Sequence, residues 1–326
     1  MKYVIGIDGG GTKTEAALLN LNGKIISISE AGPSNHHNVG VEQSRRTIEE
    51  ACVKAIRIAG VDANNVEIVV ASLAGLDCSL DVNAMENAVK DFPIGRIILV
   101  HDSMAALYAT NAGRESTIII AGTGSSTAGI NKRGEYARAG GWGYLLADEG
   151  SGFYIAKRGV AAALLEYEER GPNTMITRFL IEKFNAKTPD EIIWHVYTRG
   201  MSVVEFARLA PLVTEAAMKG DEVAIGILRD AGRELANTVS GVIRRLRMEN
   251  DEFPIGLIGG VFKAGELVTK PLWEMVRKIA PKSYLTSPIF PPVAGSSLIA
   301  LEKAGVEINR GILSNIERTL KEKGRL

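Results

Sequence analysis

Cysteine is nearly missing from this chain: Cys52 and Cys78 are the only two in 326 residues. A disulfide scaffold is thereby excluded, and Cys52, inside a helical pattern, reads as a small buried thiol. An excess of charge of either sign is missing too. Lys+Arg and Asp+Glu both number 38, for a net charge of zero, so no global field exists to gather nucleic acid or an anionic membrane. The basic run Arg244-Arg245-Leu246-Arg247 reads as the solvated end of a helix. Long hydrophobic runs are absent; stretches such as 96–100 and 160–165 fall far short of the roughly 18 residues a spanning helix needs. The opening MKYVIGIDGGG reads as a strand rather than a secretion signal, which makes the cytoplasm the expected location. Two nucleotide signatures are lacking as well. No G-x-x-x-x-G-K-[ST] occurs, which excludes a P-loop enzyme, and no G-x-G-x-x-G follows a strand, which counts against a dinucleotide fold.

What is present is an ordinary globular composition, 46% apolar and 23% charged, with enough length for two domains. Strand signals at 3–8, 15–21 and 24–30 are followed by a helix on which Ile48, Ala51, Cys52, Ala55, Ile56 and Ala59 recur at helical spacing. Asn22-Gly23 between the second and third strands is a hairpin turn. A strand at 66–72, a helix near 81–91, a strand at 96–101 and a helix from Ser103 complete the run. The order then repeats: strands at 117–121, 125–131 and 135–139, an inserted helical stretch, a long helix over 222–248, a strand at 254–258, a helix from Lys263, a strand at 282–286 and a helix from Val293. The expected fold class is therefore α/β, built as two duplicated lobes. A first lobe is expected over 1–113, with the helix at about 306–326 free to pack back on it, and a second over 114–305. Each half places a glycine-rich turn after its first strand, and two such lobes facing each other would present both turns to one central cleft.

The first turn, Asp8-Gly9-Gly10-Gly11-Thr12-Lys13-Thr14, suits an anion: glycines let backbone N–H groups approach closely, and Thr12 adds a hydroxyl. Asp8 at the strand end would hold Mg²⁺, directly or through water. A hairpin needed only for its shape would not require the Asp before it or the Thr and Lys after it. The second turn is Gly122-Thr123-Gly124-Ser125. Asp102 follows the apolar strand 96–101 and starts a helix, where it is either an N-cap or, at the carboxyl end of a strand in a doubly wound lobe, a proton acceptor for an attacking hydroxyl. Gly140-Gly141-Trp142-Gly143 and Asp148-Glu149-Gly150 read either as a loop closely approached by a ligand or as a solvent loop with a packed Trp. Gly259-Gly260-Val261-Phe262-Lys263 is either a tight strand–helix turn or a flat seat for an adenosine. Ser34-Asn35-His36-His37-Asn38 reads as a polar loop. Metal binding by its two histidines is not expected, because adjacent side chains point apart and no third ligand is spaced to join them.

With these pieces in order, the sequence resembles the actin–hexokinase–Hsp70 superfamily, and more narrowly the N-acetylglucosamine kinase-like branch of the BadF/BadG/BcrA/BcrD group. GIDGGGTKTEAAL resembles its first phosphate motif, IIAGTGSS the second, and GLIGGVFK the adenosine motif, while GGWGYLLADEGSGFYIA is similar to this branch in particular. The resemblance implies duplicated ribonuclease H-like (actin-like ATPase) lobes that close on ligand, commonly in a homodimer. It implies ATP as co-substrate, with Gly10, Gly11, Thr12, Lys13, Gly122, Thr123 and Gly124 at the phosphates, Asp8 organising Mg²⁺, and Gly259, Gly260 and Lys263 beside the adenosine. For a sugar it implicates Asn35, Asp102, Gly141, Trp142, Gly143 and Asp148, with Asp102 as base. The Cys-rich zinc motif of the repressor–kinase sugar kinases is absent, and so are the cysteines with which BadF-type activators bridge an iron–sulfur cluster. The expected activity is transfer of the ATP γ-phosphoryl group to the 6-hydroxyl of glucosamine, N-acetylglucosamine or glucose. An ATP-driven conformational switch acting on a protein partner is the competing expectation. Partners are thus ATP and a small sugar, with no nucleic acid and no membrane.

Overall fold

The computed structural model describes residues 1–326. The three opening strand signals become a meander of β1 (Tyr3–Gly9), β2 (Thr14–Asn20) and β3 (Ile25–Ala31), followed by the four-residue helix α1 (His36–Val39) and by α2 (Val41–Ala59). Next come β4 (Val66–Leu73), α3 (Ser79–Ala88), β5 (Arg96–His101) and α4 (Asp102–Asn111). The plan restarts with β6 (Ser116–Ala121), β7 (Ser125–Ile130) and β8 (Tyr136–Gly140). Helices α5 (Gly152–Tyr167), α6 (Met175–Phe184), α7 (Val203–Ala207) and α8 (Ala210–Met218) form the inserted stretch. The long helix α9 (Glu222–Leu246), β9 (Pro254–Ile258), α10 (Glu266–Val276) and β10 (Tyr284–Thr286) follow, and α11 (Pro292–Lys303) and α12 (Arg310–Glu322) end the chain. No helix is long and apolar enough to cross a membrane.

Two five-stranded sheets result, ordered β3-β2-β1-β4-β5 and β10-β9-β6-β7-β8. Each places its first strand at the centre, with the meander on one side and the two later strands on the other, so the duplication expected from pattern is present in topology. The chain divides into two compact units, one of Met1–Ser116 with Pro288–Leu326 and one of Thr117–Ser287. The sequence reading ends the second lobe at 305, whereas α11 belongs to the first unit.

In the first unit, strand periodicity sorts side chains to two cores. Ile5, Ile7, Ala16, Leu18, Val69 and Ala71 pack with Ile48, Ala51 and Cys52 of α2. Their neighbours Val4, Ala17, Leu19, Ile68 and Val70 pack with Leu298 of α11 and Ile316 of α12. A sheet buried on both faces needs this nearly continuous apolar reading, because successive residues point to opposite sides. In the second unit, α9 is anchored by Asp221, whose side chain accepts from the Ala224 amide at 2.8 Å. It buries the stripe Ile227, Leu228, Ala231, Leu235, Val239, Val242, Ile243 and Leu246. Its basic end is exposed at Arg244, Arg245 and Arg247, as a solvated helix terminus.

Candidate active site

Register fixes what stands at the working edge of the first sheet. Strands β1, β4 and β5 are mutually parallel, and Gly9, Leu73 and His101 lie in one row across them. Asp8 is one residue before that row and Asp102 one residue after it, so both carboxylates reach the same carboxyl edge. Strands β1 and β5 are two places apart, roughly 10 Å at ordinary strand spacing. Burial, the nearby Asp102 charge and Glu15 push the Asp8 carboxyl up to about 7, against the opposing pull of Lys13.

The turn between β1 and β2 closes by the Gly10 amide donating to the Lys13 carbonyl at 3.0 Å. The Gly10 carbonyl in turn accepts from the amides of Ser34 (3.0 Å) and Asn35 (3.2 Å), which ties the proposed phosphate turn directly to the segment bearing Asn35. Thr14 Oγ1, fully buried, reinforces this junction through Ser34 Oγ and the Gly32 carbonyl, each at 2.8 Å. Thr12 is exposed on the turn. The Lys13 ammonium is held by Glu15 at 3.1 Å and Glu30 at 3.2 Å, and hydrogen bonding to these carboxylates raises its pKa.

Three details of this edge differ from the sequence reading. Asn35 is not simply part of a loop: it caps α1, its Oδ1 accepting from the His37 amide at 3.0 Å. Asp102 is not the cap of α4. His101 is, with Nδ1 accepting from the Ser103 amide at 3.2 Å, which leaves Asp102 in the first turn and about a third exposed. The two histidines do not point apart. Their ring centroids are 4.2 Å from one another, and Asp81 of α3 supplies a third ligating group. Burial opposes ionisation of Asp81, but the Cys78 thiol, His36, the Cys78 amide and the nearby His37 together bring its carboxyl down to about 2.

Residues overlooked by sequence reasoning stand behind Asp102. His101 Nδ1 lies 2.9 Å from Asp102 Oδ1, and His101 Nε2 lies 3.3 Å from Asp77 Oδ1. The signal available was a histidine adjacent to a candidate base; Asp77, 25 residues upstream, carried none because only the β4–β5 pairing brings it near.

The second unit gathers its own edge in the same way. Gly122 closes its turn on the Gly124 carbonyl at 2.9 Å, and the carbonyls of Gly122 and Thr123 accept from the amides of Gly152 (2.7 Å) and Phe153 (3.1 Å) at the start of α5. Ser125 Oγ donates to the Glu149 carbonyl at 2.7 Å. Asp148 is buried with its carboxylate hard against Gly124, where a Cβ would sit 2.5 Å from Oδ2. Gly259, at φ 112°, follows β9 with its α-carbon so near the Ala121 carbonyl that a Cβ would be 2.3 Å from the oxygen. Lys263 lies in a 3₁₀ turn, Gly260–Ala264, rather than at the start of the following helix, which begins at Glu266. Gly141, Trp142 and Gly143 follow β8; Trp142 is 57% exposed, with the Arg138 guanidinium 5.6 Å from its ring centre.

Residues 5–300 match the BadF/BadG/BcrA/BcrD ATPase family. This chain belongs to that family. Among its relatives is an N-acetylmuramic acid/N-acetylglucosamine kinase of Clostridium acetobutylicum, 35% identical over 262 residues, which covers 80% of this chain and 86% of the relative. An N-acetyl-D-glucosamine kinase of Dictyostelium discoideum is 31% identical over 310 residues, covering 91% and 97% respectively. A crystal structure of a candidate N-acetylglucosamine kinase from Chromobacterium violaceum superposes with a TM-score of 0.71 at 25% identity, over 92% of this chain and 99% of that one. The BadF/BadG/BcrA/BcrD membership thus spans both glycine turns, the Asp102 edge and the Gly259 turn.

Proposed function

We propose that this protein is an ATP-dependent amino sugar kinase that phosphorylates the 6-hydroxyl of glucosamine, N-acetylglucosamine or a related hexose such as glucose. The observation that carries the reading is the shared edge of Asp8 and Asp102, with the Gly10 turn hydrogen-bonded to the Asn35 segment. The kinase names of the two relatives above 30% identity support it. In this reading the sugar hydroxyl oxygen bonds to the γ-phosphorus of ATP, the bridging P–O bond breaks with its electron pair leaving on ADP, and the hydroxyl proton passes to the Asp102 carboxylate. Asn35 and Asp102 position the sugar from the first unit. In the second unit, Gly141, Trp142, Gly143 and Asp148 are assigned as sugar-binding residues, and Gly259, Gly260 and Lys263 to the adenosine. His101, with Nε2 facing Asp77 and Nδ1 capping α4 through the Ser103 amide, fixes the strand end from which Asp102 projects.

Asp8 suits Mg²⁺ on the chemistry of its surroundings. A half-buried carboxyl with Asp102 and Glu15 nearby gathers negative charge at this edge, and hard oxygen donors are what Mg²⁺ takes. When bound, that ion would neutralise charge on the phosphates. Incubating the pure protein with Mg·ATP and a panel of sugars, and reading products by mass, is expected to give a sugar monophosphate together with sugar-stimulated ADP. ATP hydrolysis indifferent to every sugar would overturn the proposal in favour of a switch acting on a protein.

Thr12 and Thr123 are assigned to the ATP phosphates, and both side chains are exposed in the two turns. Thr12→Ala and Thr123→Ala are each expected to weaken nucleotide use by about 1.5–3 kcal/mol, the worth of a hydrogen bond to a charged group. That is about 10- to 150-fold in kcat/KM for ATP, with stability changed by less than about 0.5 kcal/mol. Unchanged ATP dependence in both variants would remove the turns from the site.

A further inference from the structure

We propose that His36, His37 and Asp81 form a binding site for a borderline transition-metal dication, with Zn²⁺ its foremost occupant. His36 Nε2 lies 3.1 Å and His37 Nε2 3.4 Å from the same carboxylate oxygen, Asp81 Oδ1. All three ligand atoms fall within 4.8 Å of one another. Four ligands at about 2.0–2.1 Å around tetrahedral zinc stand about 3.3 Å apart, so an ion can enter with small adjustments of the three side chains. Consecutive residues of a regular helix point about 100° apart. In the single turn of α1 the two rings nevertheless stand 4.2 Å apart, centre to centre, and both reach the one Asp81 oxygen.

The carboxylate is prepared for the role. Asp81 Oδ2 is engaged by the start of α3, accepting from the amides of Asp77 (3.2 Å) and Cys78 (3.0 Å) and from the Cys78 thiol (3.2 Å). That grip fixes the group and turns Oδ1 toward both imidazoles, as outer contacts orient a ligating side chain. His36 and Asp81 are largely shielded, with side chains 7% and 13% exposed, whereas His37 at 51% opens the site to solvent. Water would complete the coordination there. Two imidazoles and one carboxylate suit Zn²⁺, Co²⁺ or Ni²⁺ and discriminate against Mg²⁺, which demands oxygen ligands in an octahedron. The consequence is a clamp: the ion would pin α1, and with it the Asn35 segment hydrogen-bonded to the Gly10 carbonyl, onto α3.

Chelator-stripped full-length protein titrated with ZnCl₂ in millimolar Mg²⁺ should bind one Zn²⁺ per chain by calorimetry and elemental analysis. Co²⁺ in its place should give the visible absorption of a low-coordinate nitrogen–oxygen site. His37→Ala removes an exposed ligand at little risk to folding and should weaken Zn²⁺ binding at least about 100-fold, beyond the 10–100-fold typical of losing an outer contact. His36→Gln should do the same. Zn²⁺ that fails to bind, or binds both variants as tightly as the unaltered protein, overturns the proposal. So does Zn²⁺ lost on Asp8→Asn but kept on His37→Ala, which would put the ion at the other edge carboxylate.

Discussion

Asp102→Asn is expected to lower kcat by about 10²–10⁴-fold, the usual contribution of a general base, while the protein melts within a few degrees of the unaltered chain. The two halves of that expectation come from different observations. The loss of rate follows because the amide keeps the size and much of the hydrogen bonding of the carboxylate but cannot accept the hydroxyl proton. Retained stability follows from the capping geometry: the side chain that takes the Ser103 amide at the start of α4 is His101, not Asp102. What the substitution removes from the fold is one negative charge in a first turn, worth about 0.3–1 kcal/mol against the helix dipole. It also puts an amide in place of the partly exposed carboxylate that lies 2.9 Å from His101 Nδ1. For a folding unit of this size that is a shift of about 2–4 °C at most. Sugar affinity should fall modestly, since Asn still bonds a hydroxyl. A folded variant retaining more than about a tenth of normal kcat, outside the general-base range, would remove Asp102 from the chemistry.

Much of this edge was legible because strand order leaves a strong trace. Ile5, Ile7, Val69 and Ala71 sit among Val4, Ile68 and Val70 in short apolar runs, the pattern of strands buried on both faces. Asp8 and Asp102 then fall at strand ends by simple position. What was illegible depends on contacts between distant segments or on turns too short to show a period. The run His36-His37-Asn38-Val39 is a single helical turn, so its histidines read as loop residues, and Asp81 joins them from 44 residues away. The Lys13 ammonium goes to Glu15 and Glu30 because β2 and β3 are paired, with Glu15 opposite Glu30, which no local pattern announces. Helix α11 follows β10 directly in the chain and is buried on every side from Val293 to Leu301, so it has no polar stripe to say which sheet it covers. Packing decides that, through Val293, Ala294 and Leu298 against Val4, Val70 and Ala109.

The same helix gives the second large effect. Gly295→Ala is expected to destabilise the first unit by about 3 kcal/mol or more, the upper range for overpacking a rigid core. A Cβ at position 295 would stand 1.9 Å from the Ala105 carbonyl oxygen, 2.8 Å from its carbon and 3.0 Å from the Ala109 amide nitrogen. These are backbone atoms of α4 and cannot swing aside as a flexible side chain would. On its other side α11 is pressed equally hard against β1, where a Cβ on Gly6 would be 2.2 Å from the Ser297 nitrogen. The helix therefore cannot retreat from α4 without colliding with the central strand. Gly241→Ala in α9 is the control: nothing lies within 4 Å of its Cβ position, and losing a mid-helix glycine should stabilise by about 0.5–1 kcal/mol. Urea midpoints at unchanged slope compare the two directly. The packing also reaches the chemistry, because α4 begins at Asp102. A Gly295→Ala protein that folds at low temperature must have moved α4 relative to β1, and thus Asp102 relative to Asp8. Misplacement of a reacting group by about 1 Å costs on the order of 10²-fold in rate. A variant with native midpoint and native kcat would show that α11 does not set the position of the base.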